Sequence, residues 1–195
     1  VGMDKAFFKT IMREAGLPVL NGVTFRAREW FTKKDEISAR LAKEIGYPLI
    51  VKPANLGSSV GISKVNTDAD LEEAVELAVN FAEKILVEPA VTSLREINCS
   101  VLGDSDNCEA SVLEEPFMND EILSYEDKYK GGEKGAKGAK SSGTKSAGGM
   151  ASLSRQIPAN ITKKIQADVE KYAKETFKAL GCNGVVRIDF LFDTK

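Results

Sequence analysis

Apolar positions follow the helical period in four stretches of the chain and alternate with polar ones between them. After Asp4, the residues Phe7, Phe8, Ile11, Met12 and Ala15 share one helical face, and Gly16 and Pro18 end the run. "GVTFRA" has the two-residue period of a short strand. Ile37, Leu41 and Ile45 predict a second helix over 34–45, closed by Gly46. "YPLIVKP" and "VGISKV" read as strands on either side of a Gly-Ser bend. Thr67 can cap a third helix, with Asp70 favouring its N-terminus and Leu71, Ala74, Val75, Ala78 and Phe81 as its buried face. "KILVEPA" predicts a strand, and "REINCSVLGD" with "NCEASVLEEP" a hairpin turning at 103–107. "MASLSRQIP" is strand-like. Asn160 is the expected cap of a long helix bearing Ile161, Ile165, Val169, Tyr172 and Phe177, ended by Gly181. In the last strand, "GVVRIDFLF", Val186, Ile188 and Phe190 alternate with Arg187, Asp189 and Leu191.

This order predicts an α+β fold of mainly antiparallel sheets flanked by helices, rather than a doubly wound parallel sheet. Residues 124–149 break the pattern. Rich in Gly, Lys, Ser and Ala, they show no apolar period and read as a flexible loop, and a loop of this length in a compact domain is often a functional lid. Both ends of the chain look cut: it starts a turn before a helix and ends on a strand running into a turn.

Composition narrows the chemistry. The 195 residues carry a net charge of −2, with 43% hydrophobic and 29% charged residues, an ordinary globular balance that gives no sign of a nucleic-acid partner. No apolar run is long enough to span a membrane and no leader is visible, so a cytoplasmic protein is expected. Cys99, Cys108 and Cys182 read as reduced thiols. The chain has no histidine, so His-based triads, His-ligated zinc and His general bases are excluded.

The remaining polar residues suggest a phosphate grip. In "IVKPANLGSSVGISKV", Lys52 ends a strand and Gly57, Ser58 and Ser59 offer amides and hydroxyls. The same letters also suit an ordinary hairpin with a solvated lysine. Arg187 and Asp189 share a strand face: a salt bridge, or a pair steadying an oxyanion and a cation. Glu88 and Glu96 border a hinge around Val91, as surface carboxylates or as acceptors for a nucleotide's donors. Lys128 and Tyr129 open the Gly/Lys loop and could fold over a ligand. Lys5, at a helix start, opposes the dipole unless an anion is near. Together these are parts suited to phosphoryl transfer from a Mg-nucleotide.

"DKAFFKTIMREAGLPV", "YPLIVKPANLGSSVGISKV", "SYEDKY" and "LGCNGVVRIDFLF" together resemble the ATP-grasp portion of bacterial D-alanine–D-alanine ligases, in order along nearly the whole chain. The resemblance implies two subdomains clasping a nucleotide, a smaller one over 1–92 and a larger one over 93–195 carrying the lid. It implies Lys5, Lys52 and Lys128 on the phosphates, with the Ser58 and Ser59 bend beside them. It further implies Ser58 and Tyr129 orienting the first amino acid, and Glu88 with the backbone near Val91 as the adenine hinge. Glu96 would hold the ribose, although its spacing from Glu88 is one residue longer than expected. Arg187 would steady the tetrahedral intermediate and Asp189 would hold Mg²⁺ or Mn²⁺. The implied activity joins two D-alanines through an acyl phosphate, for peptidoglycan synthesis. The expected chain is a fragment, inactive alone, lacking the family's N-terminal domain and the Glu-x-Asn strand that completes the metal site. D-alanine and ATP are the implied partners, with no nucleic acid or membrane; a homodimer of the full-length protein stays open, as do D-lactate and D-serine as acceptors. Another ATP-grasp carboxylate–amine ligase and a non-catalytic nucleotide-binding module are the alternative readings.

Overall fold

A computed structural model describes residues 1–57, 59–117 and 155–194. Its elements are α1 (Lys5–Glu14), β1 (Val23–Arg26), α2 (Ala27–Glu44), β2 (Leu49–Pro53), β3 (Ser63–Val65), a 3-10 turn (Asp68–Asp70), α3 (Leu71–Val79), β4 (Lys84–Pro89), β5 (Leu94–Gly103), β6 (Cys108–Ala110), β7 (Glu115–Pro116), β8 (Arg155–Gln156), α4 (Lys163–Ala179) and β9 (Gly184–Asp193). All strand pairs are antiparallel, in sheets ordered β1-β4-β2-β3, β6-β5-β9 and β7-β8. The expected α+β architecture is what forms.

Each larger sheet has its own core. Leu49, Val51, Ile85 and Val87 pack with Trp30, Leu41, Leu71 and Val75 of α2 and α3. Ile97, Cys99, Val101 and Ile188 pack with Val169, Ala173 and Phe177 of α4. Because successive strand residues point to opposite sides, the same registers turn Lys52, Leu86 and Glu88 to the far face of the first sheet. They likewise turn Glu96, Asn98, Arg187 and Asp189 to the face of the second sheet opposite its core.

Several boundaries differ from the sequence expectation. The second helix begins at Ala27, seven residues before position 34, with a kink at Lys33 (φ −137°, ψ 32°). The segment before the kink buries Ala27 and Trp30 while Phe31 stays exposed, too few apolar positions to show a period. Thr67 precedes the 3-10 turn rather than α3, and its hydroxyl donates to Asp70 Oδ2 at 2.8 Å instead of capping the backbone. α4 is capped by Thr162, whose hydroxyl accepts from Ile165 N, not by Asn160. The carbonyl of Asn160 accepts from Arg95 at 2.8 Å. Phe7 and Phe81, expected inside, are exposed. The lid expected over 124–149 lies outside the described residues.

Candidate functional site

α1 lies across the polar face of the first sheet, and its N-terminus is fixed from both sides. Asp4 accepts hydrogen bonds from Ala6 N and Phe7 N, each at 3.0 Å, a side-chain cap that sets where the helix begins. The same carboxylate takes Lys84 Nζ of β4 at 2.6 Å. Burial pushes the Asp4 carboxyl up, but Lys84 and the two amides outweigh it and hold it below the ordinary carboxylate range. Lys5 N donates to the Ala54 carbonyl at 2.8 Å, and Lys5 Nζ reaches the Leu56 carbonyl. One helical turn on, Lys9 faces the same way.

Those tethers converge on Glu88. Its side chain is only 3% exposed and meets two ammonium groups, Lys9 through Oε1 and Lys52 through Oε2. Oε1 meets Lys9 as an ion pair without a hydrogen bond to any group. Lys9 and Lys52 are themselves 13% and 15% exposed in their side chains. Burial lowers the Lys5 ammonium below its ordinary value and Lys52 adds repulsion, which Glu88 and Asp4 only partly offset. Burial also lowers Lys9, against the pull of Glu88. With Asp4 matched to Lys84, three lysines stand around a single glutamate, an excess of two positive charges out of bulk water. Such an excess is costly until an anion joins it.

The bend after β2 adjoins this cluster. Val60 N donates to the Gly57 carbonyl at 3.2 Å and Ile62 N to the Ser59 carbonyl at 3.4 Å, so successive turns carry the chain into β3. Ser59 holds a positive φ of 61°, rare for a side-chain-bearing residue. Ser58 lies outside the described residues, as do Lys128 and Tyr129. Val91 sits in the connector between β4 and β5, where the preceding Ala90 N donates to the Pro48 carbonyl at 3.0 Å.

On the second sheet, Arg187 and Asp189 form a two-pronged pair, Nε to Oδ1 at 2.7 Å and Nη2 to Oδ2 at 3.0 Å. The pairing holds the Arg187 guanidinium above its ordinary value. Asn98 stands directly opposite Asp189 in the register. With its amide nitrogen turned towards the carboxylates, it donates to Glu96 Oε1 at 3.1 Å and Asp189 Oδ1 at 3.0 Å. Glu96, Asn98, Asp189 and Arg187 are therefore one connected network. Among the described residues, no group of three or more His, Cys, Asp or Glu side chains is placed to hold a metal ion, and Arg187 bridges both oxygens of Asp189. The described residues alone do not make up a Mg²⁺ or Mn²⁺ site.

The structure thus brings Lys5, Lys52 and Glu88 together, and separately Glu96, Arg187 and Asp189. The alternative of Glu88 as a solvated surface carboxylate is overturned by its burial. Sequence reasoning missed Lys9, Asn98 and Arg95. Lys9 was visible as the residue four after Lys5. Asn98 was visible on the same strand face as Glu96. Arg95 pairs with the buried Glu115 at 2.6 and 2.7 Å and ties β5 to β7; no local pattern signals a partner twenty residues away.

The family model "D-ala D-ala ligase C-terminus" matches residues 11–195. A protein of Pelodictyon phaeoclathratiforme named D-alanine–D-alanine ligase is 37% identical over 193 residues, covering 99% of this chain and 48% of its own length. A Thermoanaerobacter protein of the same name is 38% identical over 191 residues, covering 98% and 47%. The solved VanG D-Ala:D-Ser ligase from Enterococcus faecalis superposes with a TM-score of 0.72 at 29% identity, over 98% of this chain and 49% of that one. The chain spans about half the length of the relatives it matches.

Proposed function

Since the chain belongs to the D-ala D-ala ligase C-terminus family, we propose that it is the nucleotide-binding part of an ATP-dependent ligase that joins two D-alanines. The reading rests on one observation above all: two buried lysines pair with one glutamate and a third, half-buried, stands within reach of its charge. A triphosphate is the polyanion that would balance them.

In this reading a D-alanine carboxylate attacks the terminal phosphorus of ATP, releasing ADP and forming an acyl phosphate. The amine of the second amino acid then attacks the acyl carbon, and phosphate leaves. A free carboxylate is a poor acyl donor, so activation is required. Lys5 and Lys52 neutralise the phosphates as negative charge shifts to the leaving ADP. Glu88 accepts a donor from the base, beside the Val91 backbone, and Glu96 accepts a ribose hydroxyl. Arg187, held by Asp189, faces the oxyanion that develops at the acyl carbon. Ser58, Ser59, Lys128 and Tyr129 are assigned to closing the pocket and orienting the first amino acid. Asp189 is kept as the support of Arg187, and no step runs through a metal. We assign residues 1–92 and 93–195 to two subdomains, and the whole protein to cytoplasmic peptidoglycan synthesis with D-alanine and ATP as partners. Among the described residues, no helix is long and apolar enough to cross a membrane.

A second acceptor, D-serine, is favoured by the likeness to VanG, a D-Ala:D-Ser ligase. The test measures ADP release by the full-length protein with ATP and D-alanine, then with D-serine added as acceptor. Release that depends on D-alanine and disappears in Lys52→Ala is expected. Release that ignores D-alanine would sink the proposal.

A further inference from the structure

Lys9 has no role in the reading above, yet it is as deeply set as Lys52 and shares the same carboxylate. An ionised carboxylate offers about four acceptor sites on its two oxygens. Here one ammonium meets each oxygen, so Glu88 is clamped from two sides and keeps capacity for a further donor. With Lys52 alone, the carboxylate would be free to turn towards it, and the two would neutralise each other.

The floor under the carboxylate is bare backbone. Gly22 lies just before β1, beside β4 at Glu88. A methyl group at Gly22 would stand 3.3 Å from Glu88 Cγ, 3.1 Å from the Val87 carbonyl oxygen and 2.9 Å from Leu86 Cδ1. The missing side chain at Gly22 leaves the room in which the Glu88 stem lies. Lysine on one side, lysine on the other and bare backbone beneath define a held acceptor rather than an incidental ion pair.

We propose that Lys9 is a positioning residue: by taking Glu88 Oε1 it keeps the carboxylate aimed as an acceptor for an amino group on the nucleotide base and prevents Lys52 from being fully consumed by Glu88. This rests on the nucleotide-binding reading. Lys9 itself touches neither base nor phosphate; it acts through Glu88. Removing its charge loosens recognition of the base more than attraction for the phosphates, because Lys5 and Lys52 remain.

The experiment compares wild-type chain, Lys9→Met and Lys9→Arg by titration calorimetry with ATP and with inosine triphosphate, which carries an oxygen where ATP carries the amino donor. Wild type is expected to prefer ATP. Lys9→Met should weaken ATP by roughly tenfold or more, the range of a charge-assisted hydrogen bond. It should weaken inosine triphosphate far less, so that the preference shrinks. Lys9→Arg should restore most of it. Circular dichroism checks folding; if Lys9→Met does not fold, Lys9→Ala, which likewise removes the partner of Glu88 Oε1, carries the same comparison. Unchanged preference in the folded variant overturns the inference. Equal weakening of both nucleotides also overturns it, since that marks Lys9 as a plain phosphate cation. Wild-type chain that binds neither nucleotide removes the nucleotide-binding reading and this inference with it, a result distinct from either variant outcome.

Discussion

The two polar faces of this molecule use similar residues to opposite ends. On the first sheet, Lys9 and Lys52 clasp a glutamate that is almost wholly buried, Lys5 stands nearby, and the charges do not balance. On the second, Arg187 and Asp189 balance one for one, with side chains 48% and 42% exposed. A matched, half-solvated pair is nearly neutral for stability and is free to re-pair when a ligand arrives. An unmatched buried cluster is a standing electrostatic cost that a ligand's charge can relieve. In the proposed reading, the difference separates a site that draws in an anion from one that keeps a cation ready for chemistry.

The largest expected effect comes from removing the carboxylate that holds the first cluster. Glu88→Leu would leave Lys9 and Lys52 unpaired beside one another, and should cost about 3–5 kcal/mol in urea unfolding. A loss no larger than that of an exposed glutamate would mean that the lysines are solvated, and the contrast between the faces would vanish. Next comes Arg95→Met, which strands Glu115, 8% exposed in its side chain, and releases the Asn160 carbonyl. Arg95 is itself about a third exposed, so a cost of about 2 kcal/mol is expected. The readout is faster hydrogen exchange at the β5–β7 contact; protection equal to wild type would remove Arg95 as the fastening between those strands.

Arg187→Ala should barely register in the same unfolding experiment, under about 1 kcal/mol, because both partners are half exposed. If the proposed role is right, ligase activity of the full-length protein nonetheless falls steeply. A large stability loss with activity intact would reverse the assignment and make the pair structural.

These faces were unequally legible in the sequence. Arg187 and Asp189 are two apart on a strand, and strand geometry alone puts them side by side. Lys52 and Glu88 come from strands whose adjacency is set by the sheet order β1-β4-β2-β3, which no local pattern specifies. The glutamate's burial depends on α1 folding back over that sheet, a tertiary event signalled only by the Asp4 cap and the Lys5/Lys9 spacing. Thr162, two positions after Asn160, is the helix cap because the chain is still extended there and either residue type can cap. The start of α2 was hidden for a different reason: its first turns offer only Ala27 and Trp30 as buried positions, too few for a period to emerge before the kink at Lys33.

The smallest effect is the pH dependence, and it isolates desolvation of a single ammonium. Lys9 is lowered by burial, opposed by Glu88 and reinforced by Lys52 and Arg13. A lysine whose folded value lies below its unfolded value disfavours folding wherever it is charged in both states. As pH rises through the folded value, the native state sheds the proton first, the unfolded state holds more protons, and stability rises until about 10.5. Lys5 acts in the same direction. Cys99, raised by burial, and Tyr47, raised to about 12 by burial and by its hydrogen bond to Asp68, act in the other, since their unfolded forms ionise first. A single unfolding curve against pH mixes these groups, but the difference between wild type and Lys9→Met removes those common to both. That difference should tilt in favour of wild type as pH climbs towards 10.5, with a slope no steeper than about 1.4 kcal/mol per pH unit, the limit for one proton. Arg187→Ala, measured the same way, should give a flat difference there, because its guanidinium stays charged throughout that range. Parallel curves for wild type and Lys9→Met would show the Lys9 ammonium to be as well solvated as the Arg187 pair, and the two faces to be alike after all.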